Sequence, residues 1–145
     1  MKVTRDINAP AEAIWPLITD HQAYGQIAPN LRSVRRLSGE GVGMVRECTG
    51  INGASWRETC TLWEDGRRYA INIDTGTYPY PVQAMSAIFG VEPAPDGSRV
   101  TMQFTVAPTG DPASQQFVRM LKTSFRPTLD TILDAWQQKA EAANP

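Results

Sequence analysis

Hydrophobic and polar residues alternate through the middle of the chain. Between Val42 and Asp74 they do so in three runs separated by two turn signals, which predicts three antiparallel strands. Asp65-Gly66 forms the second turn, because both residues tolerate the positive φ of a two-residue hairpin. This turn places Leu62 opposite Tyr69 in the predicted sheet.

The first turn decides which residues of the central hairpin face each other. A two-residue turn at Asn52-Gly53 sets Glu47 opposite Glu58, and like charges directly opposed destabilise a sheet. A three-residue turn, Ile51 to Gly53, sets Arg46 opposite Glu58 instead. We favour the three-residue turn. The alternative is a register shifted by one residue, in which Arg46 and Glu58 form a salt bridge on the solvated face.

In the favoured register, one face of the three strands is apolar and the other is polar. The apolar face has Met44, Cys48, Trp56, Cys60, Leu62, Tyr69, Ile71 and Ile73, and the polar face has Glu47, Thr49, Arg57, Thr59, Thr61, Arg68, Asn72 and Asp74. Arg46 and Glu58 then lie within the apolar face, where taking two charges out of water costs several kcal/mol per ion. We therefore predict that this face lines a ligand cavity, with Arg46 and Glu58 as its polar anchor.

The remaining elements surround this hairpin. The pattern predicts, in order, a strand at Lys2–Ile7, a helix capped by Asn8, a short helix capped by Asp20, a strand at Leu31–Ser38, the central strands, a hairpin of Val82–Glu92 and Arg99–Val106, and a helix from Asp111 to about Ala143. Pro16 should kink or end the first helix, and Pro127 should bend the last. An antiparallel sheet that buries one long amphipathic helix predicts an α+β fold, and a strongly curved sheet would leave a pocket beneath that helix.

Composition and charge narrow the possible functions. A chain of 145 residues is most simply one domain, residues 1–145. The formal net charge of −1 and the pI near 5.8 make nucleic acid an improbable partner. The chain has no apolar run long enough for a membrane span and no signal peptide at its start, so we expect a soluble cytoplasmic protein, monomeric or dimeric.

The cysteines and the histidine suggest no metal or redox chemistry. Cys48 and Cys60 share a face but lie on the order of 13 Å apart along the strands, too far for a disulfide. One histidine and two separated cysteines make a zinc site improbable, and we expect no cofactor. His21, next to the cap residue Asp20, is expected at the surface.

The order of elements and the segment GVGMVRECTGINGASWRETCTLWEDGRRYAINIDTGTYPYPV resemble the polyketide cyclase/dehydrase family of the START-like superfamily, also called SRPBCC, helix-grip or pollen-allergen-like. The most specific matches are Gly43-x-x-Arg46, Arg57-Glu58, the turn from Asp65 to Tyr69, and the proline loop after Gly76. The resemblance covers nearly the whole chain. It implies a helix-grip fold, in which a curved seven-stranded antiparallel sheet wraps around a long C-terminal helix and encloses a hydrophobic cavity.

The resemblance also implies that Arg46 and Glu58 point into this cavity. It implies a lid over the cavity mouth at Tyr78 to Pro81, and the alternative for this loop is a rigid surface turn. Relatives bind hydrophobic small molecules such as lipids, polyketides, plant hormones and quinones. The candidate ligand contacts are Arg46, Trp56, Glu58, Cys60, Tyr69, Ile71, Tyr78, Tyr80, Met102, Phe104, Phe117 and Leu121. For Trp56, Tyr69, Met102 and Phe117 we favour an ordinary place in the core, although in a cavity protein the same side chain can also contact a ligand.

Three functions remain open at the level of sequence. The first is a binding protein for a mostly apolar ligand, in which Arg46 holds an acidic or carbonyl oxygen and Glu58 fixes Arg46. The second is an enzyme of the cyclase, dehydratase or isomerase kind, in which Glu58 acts as general acid or base and Arg46 stabilises an enolate oxygen. The third is a docking partner of a membrane complex or an acyl carrier.

Overall fold

The computed structural model describes residues 1–143; Asn144 and Pro145, the last residues of the predicted domain, lie outside the described residues. The strands form one antiparallel sheet in the order β1-β7-β6-β5-β4-β3-β2. The strands are β1 (Lys2–Ile7), β2 (Leu31–Ser38), β3 (Val45–Gly50), β4 (Ser55–Glu64), β5 (Arg68–Ile73), β6 (Ala84–Ala94) and β7 (Gly97–Ala107). The helices are α1 (Ala11–Ile18), α2 (His21–Ile27), α3 (Pro112–Ser124) and α4 (Arg126–Ala142). The predicted α+β helix-grip architecture is confirmed.

The helices connect the two edges of the sheet and cover its inward face. Helices α1 and α2 lead from β1 at one edge to β2 at the other, and α4 packs on β1, α1 and α2. Helix α4 buries Leu129, Ile132, Leu133 and Trp136, which recur at helical spacing. Burial of each such side chain stabilises the fold by about 1.5–3 kcal/mol. The core therefore lies between the inward face of the sheet and α4.

The hairpin β3–β4 has the register that the charge argument favoured. Arg46 pairs with Glu58. The turn from Ile51 to Gly53 has three residues, and the Gly53 N–H donates to the Gly50 carbonyl at 2.9 Å. Gly53 has a φ of +90°, in the left-handed region that glycine adopts without strain. The predicted turn is confirmed, and both charged side chains point inward, with Arg46 1% exposed and Glu58 5% exposed.

The predicted pairing of Leu62 with Tyr69 is wrong. Strands β4 and β5 pair as expected at Cys60 and Ile71, but an irregularity between Cys60 and Leu62 shifts the register by one residue. Trp63 therefore pairs with Tyr69, and their ring centroids lie 5.5 Å apart. A bulge places one extra residue in a strand and so turns the following side chains to the other face. Trp63 therefore packs against the core at the position that was expected for Leu62.

Helix α1 begins later than its predicted cap. Pro10 occupies the N-cap position without a side-chain hydrogen bond, so the prediction that Asn8 caps this helix is wrong. The Asn8 N–H instead donates to Glu141 Oε2 at 3.0 Å. Pro16 lies inside α1, which ends two residues later at Ile18. An early end is the expected effect of a proline that removes a backbone donor.

The C-terminal helical segment is interrupted rather than merely bent. Asp111 caps α3 as predicted, its side chain accepting from the Ala113 N–H at 2.9 Å. Phe125 then separates α3 from α4, and Pro127 occupies the first turn of α4. A proline fits there because the first helical N–H groups have no intrahelical acceptor. The segment therefore divides into two helices, with the aromatic side chain of Phe125 at the junction.

Candidate functional site: an apolar cavity with a buried ion pair

A cavity of about 440 Å³ lies between the inward face of the sheet and α3. This volume falls in the range of small-molecule binding sites. Its apolar wall includes Ile71, Ile73, Met85, Phe89 and Phe104 from the sheet, and Phe117, Met120, Leu121 and Phe125 from the helical segment. The polar part of the wall includes Arg46, Glu58 and Asn30.

The buried ion pair has short, well-formed contacts. Arg46 Nε donates to Glu58 Oε1 at 2.8 Å, and Arg46 Nη2 lies 2.8 Å from the same oxygen. Glu58 Oε2 accepts from the indole Nε1–H of Trp56 at 2.8 Å. Both carboxylate oxygens are therefore engaged. A buried pair with satisfied hydrogen bonds is rigid, whereas loss of either partner leaves an uncompensated charge.

His21 belongs to this cluster, so its expected position at the surface is wrong. His21 Nδ1 lies 2.8 Å from Arg46 Nη1. An arginine can only donate, so Nδ1 is the acceptor and the ring proton of the neutral imidazole is on Nε2. The Arg46 guanidinium also lies over the ring of Tyr24, with Cζ 5.5 Å from the ring centroid, within cation–π range. Three side chains, those of Glu58, His21 and Tyr24, therefore contact one guanidinium.

Helix α2 brings His21 and Tyr24 to the guanidinium. The Asp20 side chain caps this helix by accepting from the Ala23 N–H at 3.0 Å. Gly25 allows α2 to lie close to β2, because a Cβ on that residue would stand 2.3 Å from the Val34 backbone nitrogen. Residues three apart on a helix share a face, so the buried Tyr24 indicates the direction of His21. The sequence shows this spacing, but it does not show that Tyr24 is buried.

Burial and neighbouring charges set the protonation states of the cluster. Burial lowers the pKa of His21 to about 4, and the charges of Arg46 and Arg36 act in the same direction, whereas Asp20 opposes them. Burial disfavours a charged Arg46, but the Glu58 carboxylate and neighbouring groups outweigh this and raise its pKa. At neutral pH the site therefore contains a neutral imidazole and a charged guanidinium.

We expect acidification to destabilise the protein through His21. The free energy of unfolding should decrease as the pH falls from about 6.5 to about 4, because the unfolded chain protonates His21 over this range and the folded chain does not. The His21→Asn variant should lack this part of the pH dependence, while its amide oxygen can still accept from Arg46. Urea unfolding of both proteins at several pH values measures the difference. Equal pH dependence of the two proteins would contradict the half-buried, neutral state of His21.

Nine of the twelve predicted contacts line the cavity: Arg46, Trp56, Glu58, Ile71, Tyr78, Tyr80, Phe104, Phe117 and Leu121. The structure places the other three, Cys60, Tyr69 and Met102, in the buried core and not in the cavity wall. Tyr69 packs against Trp15, Trp63 and Phe89, and its hydroxyl donates to the Ile18 carbonyl at 3.3 Å. The wall also includes residues that the sequence analysis missed, among them Tyr24, Asn30, Met85, Phe89 and Phe125.

The loop after β5 lies across one side of the cavity. Tyr80 stacks on Phe117 of α3, with ring centroids 5.1 Å apart and an interplanar angle of 7°. The Tyr80 hydroxyl accepts from Asn52 Nδ2 at 3.2 Å, and Tyr78 packs edge-on against Trp56 at 5.3 Å. The loop therefore connects the β3–β4 turn to α3 through aromatic contacts and one exposed hydrogen bond.

A second, larger cleft of about 950 Å³ lies outside the sheet, between α2 and strands β2 and β3. Most of its lining residues are polar or charged, and four of the charged ones form exposed pairs, Arg35 with Glu47 at 3.2 Å and Arg36 with Glu40 at 3.0 Å. His21 borders this cleft as well as contacting Arg46. Exposed ion pairs contribute little free energy. The apolar cavity is the better candidate for a ligand site despite its smaller volume.

Neither a metal centre nor a membrane-crossing helix is found in the part of the chain that the structure describes. Within residues 1–143, no three His, Cys, Asp or Glu side chains are grouped as a metal ion would require. The helices in the same range are too short or too polar to span a bilayer. Cys48 and Cys60 are both free and buried. Burial, reinforced by the Glu58 charge, raises the pKa of the Cys48 thiol, so it is protonated at neutral pH.

Comparison with solved structures shows the same fold in proteins of low sequence identity. The Zhui aromatase/cyclase from Streptomyces sp. R1128 is 19% identical, with a TM-score of 0.77 over 100% of this chain and 94% of that chain. The protein XoxI from Bacillus cereus is 20% identical, with a TM-score of 0.76 over 100% and 97% of the two chains. The di-domain ARO/CYC StfQ of the steffimycin biosynthetic pathway is 9% identical, with a TM-score of 0.80 over 99% of this chain and 51% of that chain.

The comparison of sequences is more specific than the comparison of folds. No curated protein matches this chain significantly. The model of the family described as polyketide cyclase / dehydrase and lipid transport matches residues 1–141, nearly the whole chain. This match supports a ligand-binding or cyclase-type role. The chain belongs to the polyketide cyclase/dehydrase and lipid transport family.

Proposed function

We propose that this protein binds a mostly apolar small molecule that has one acidic or carbonyl group. The observation that supports this function is a buried ion pair, Arg46 and Glu58, in the wall of a mostly apolar cavity. Apolar burial would supply most of the affinity, at about 25 cal/mol per Å² of surface removed from water. The guanidinium would hold the polar group of the ligand.

The geometry of Arg46 supports its role as the anchor. A guanidinium has five N–H groups, so the contacts with Glu58 and His21 leave donors for a ligand oxygen. Glu58 and His21 fix the orientation of the guanidinium before the ligand arrives. A donor that is already oriented loses less conformational entropy on binding.

The geometry of Glu58 favours binding over proton transfer. A general acid or base must have an oxygen within reach of the proton that it moves. Both Glu58 oxygens already accept hydrogen bonds, from Arg46 and from Trp56. Use of Glu58 in catalysis would require one of these contacts to break. We therefore place the cyclase-type reaction, with Glu58 as acid or base, second to the binding function.

Native mass spectrometry of the protein purified from cells tests the proposal. We expect a bound apolar molecule in about equimolar amount, released on denaturation and identifiable by its mass. The Arg46→Ala variant should lose this molecule, whereas Arg57→Ala should retain it, because Arg57 lies on the solvent-exposed face of β4. An empty wild-type protein that also fails to bind apolar acids in titration would refute the proposal and favour an enzyme that releases its product.

A further inference from the structure

Asn30 presents an unsatisfied hydrogen-bond acceptor at the cavity. This residue immediately precedes β2 and lines the cavity wall. Its side-chain oxygen Oδ1 is buried, and within residues 1–143 no donor lies close enough to bond to it. Every other buried side-chain nitrogen or oxygen in that range has a partner. Buried polar groups are nearly always hydrogen-bonded, so the exception at Asn30 requires a physical reason.

The backbone at Asn30 is held in place. The Asn30 carbonyl accepts from the Ile51 N–H at 3.3 Å, and the next residue, Leu31, pairs with Gly50 at the end of β3. These contacts tie the start of β2 to the β3–β4 turn. The side chain is therefore presented to the cavity from a fixed backbone position, which is a condition for specific recognition.

The backbone positions of Asn30 and Arg46 lie far apart along the sheet. Leu31 pairs with Gly50, which is four positions after Arg46 in β3. At the rise of an extended strand, four residues span roughly 13 Å. A molecule that contacts both side chains must therefore be elongated, with polar groups near its two ends and an apolar body between them.

We infer that Asn30 is a second polar contact of the ligand site, and that the ligand has a hydroxyl or N–H group at the end remote from its acidic or carbonyl oxygen. This inference rests on the proposed binding function and adds a ligand class to it. A ligand with such a donor would satisfy the Asn30 oxygen. A ligand with an apolar end would leave that oxygen buried without a partner, and sites built around a hydrogen bond reject such ligands.

Two matched fatty acids test the inference by isothermal titration calorimetry. The probes are decanoate and ω-hydroxydecanoate, supplemented by the corresponding pairs of shorter and longer chain. Wild-type protein should bind the hydroxylated acid more tightly than its parent at the chain length that spans the cavity. In Asn30→Leu, which keeps a similar volume without the acceptor, the ratio of the two affinities should fall by about tenfold or more. Asn30→Ala provides a second variant should Asn30→Leu fail to fold.

Controls separate this inference from the proposed function. Asn72→Leu replaces an exposed asparagine on the outer face of β5 and should leave both affinities unchanged. If the acids bind with equal affinity to wild type and Asn30→Leu, while binding still depends on Arg46, the inference is overturned and the proposed function stands. A preference of the wild type for an ω-oxo acid would equally overturn it, because that end group can only accept. If no acid in the series binds, the proposed function fails, and this inference fails with it.

Discussion

Replacement of Arg46 with methionine is expected to abolish the preference for acidic ligands and to lower the free energy of unfolding by about 3–5 kcal/mol. The variant removes the positive charge beside Glu58. The Glu58 carboxylate stays buried and keeps its hydrogen bond from the Trp56 indole. Titration with decanoate and decanol, which differ in head group, measures the binding effect. Urea unfolding measures the stability effect.

A double variant separates binding from stability. In Arg46→Met with Glu58→Gln the buried charges are both gone, and the glutamine oxygen can still accept from Trp56, so most of the lost stability should return. The preference for decanoate should not return, since no cation remains at the site. Arg57→Ala, on the exposed face of β4, should change neither property. Wild-type affinity for decanoate in Arg46→Met would show that Arg46 is not the anchor.

Truncation of Trp56 to alanine is expected to lower the free energy of unfolding by about 3 kcal/mol, near the lower end for a buried tryptophan. The side chain is 8% exposed, but one side of it already faces the cavity, so fewer packing contacts are lost than in a filled core. The indole also donates to Glu58 and packs edge-on against Tyr78. The enlarged cavity should accept bulkier apolar ligands.

Trp56→Phe is the matched comparison, because it keeps an aromatic ring while removing the N–H donor and a smaller part of the side-chain volume. Its expected cost is about 1–3 kcal/mol, the range for a buried acceptor that loses a partner. Denaturant midpoints of both variants provide the measurement. An unchanged midpoint in Trp56→Ala would contradict the inward position of this residue, whereas equal losses in the two variants would assign the effect to the hydrogen bond rather than to packing.

The central hairpin could be predicted because two independent signals agreed. Alternation of apolar and polar residues identified the strands, and the unfavourable opposition of Glu47 and Glu58 selected the three-residue turn that the structure contains. Strand pairing is local here, so charge and turn chemistry were sufficient. The same reasoning directed Arg46 and Glu58 inward, although the identity of the ligand that they would contact does not follow from it.

Residues that reach the site from distant elements could not be predicted in this way. His21 meets Arg46 across 25 positions in sequence, and its contact depends on how α2 lies on β2. The hydrophobic periodicity of β4 does not indicate its bulge. Because of the bulge, Trp63 and not Leu62 pairs with Tyr69. Nothing in the sequence marked Asn30 as a cavity residue, because an asparagine before a strand is typical of a loop. Its unpaired oxygen is visible only once the surrounding backbone is in place.

The interruption at Phe125 gives the two C-terminal helices different sources of stability. Helix α4 is anchored in the core by residues such as Leu133 and Trp136, whereas α3 buries only Ser114 and Val118 fully. The larger apolar side chains of α3, Phe117 and Leu121, face the cavity instead. Segments with few buried contacts open locally at low free-energy cost, while the rest of a protein stays folded. A ligand that fills the cavity would add the packing that α3 lacks, so occupancy and the local order of this helix are thermodynamically linked.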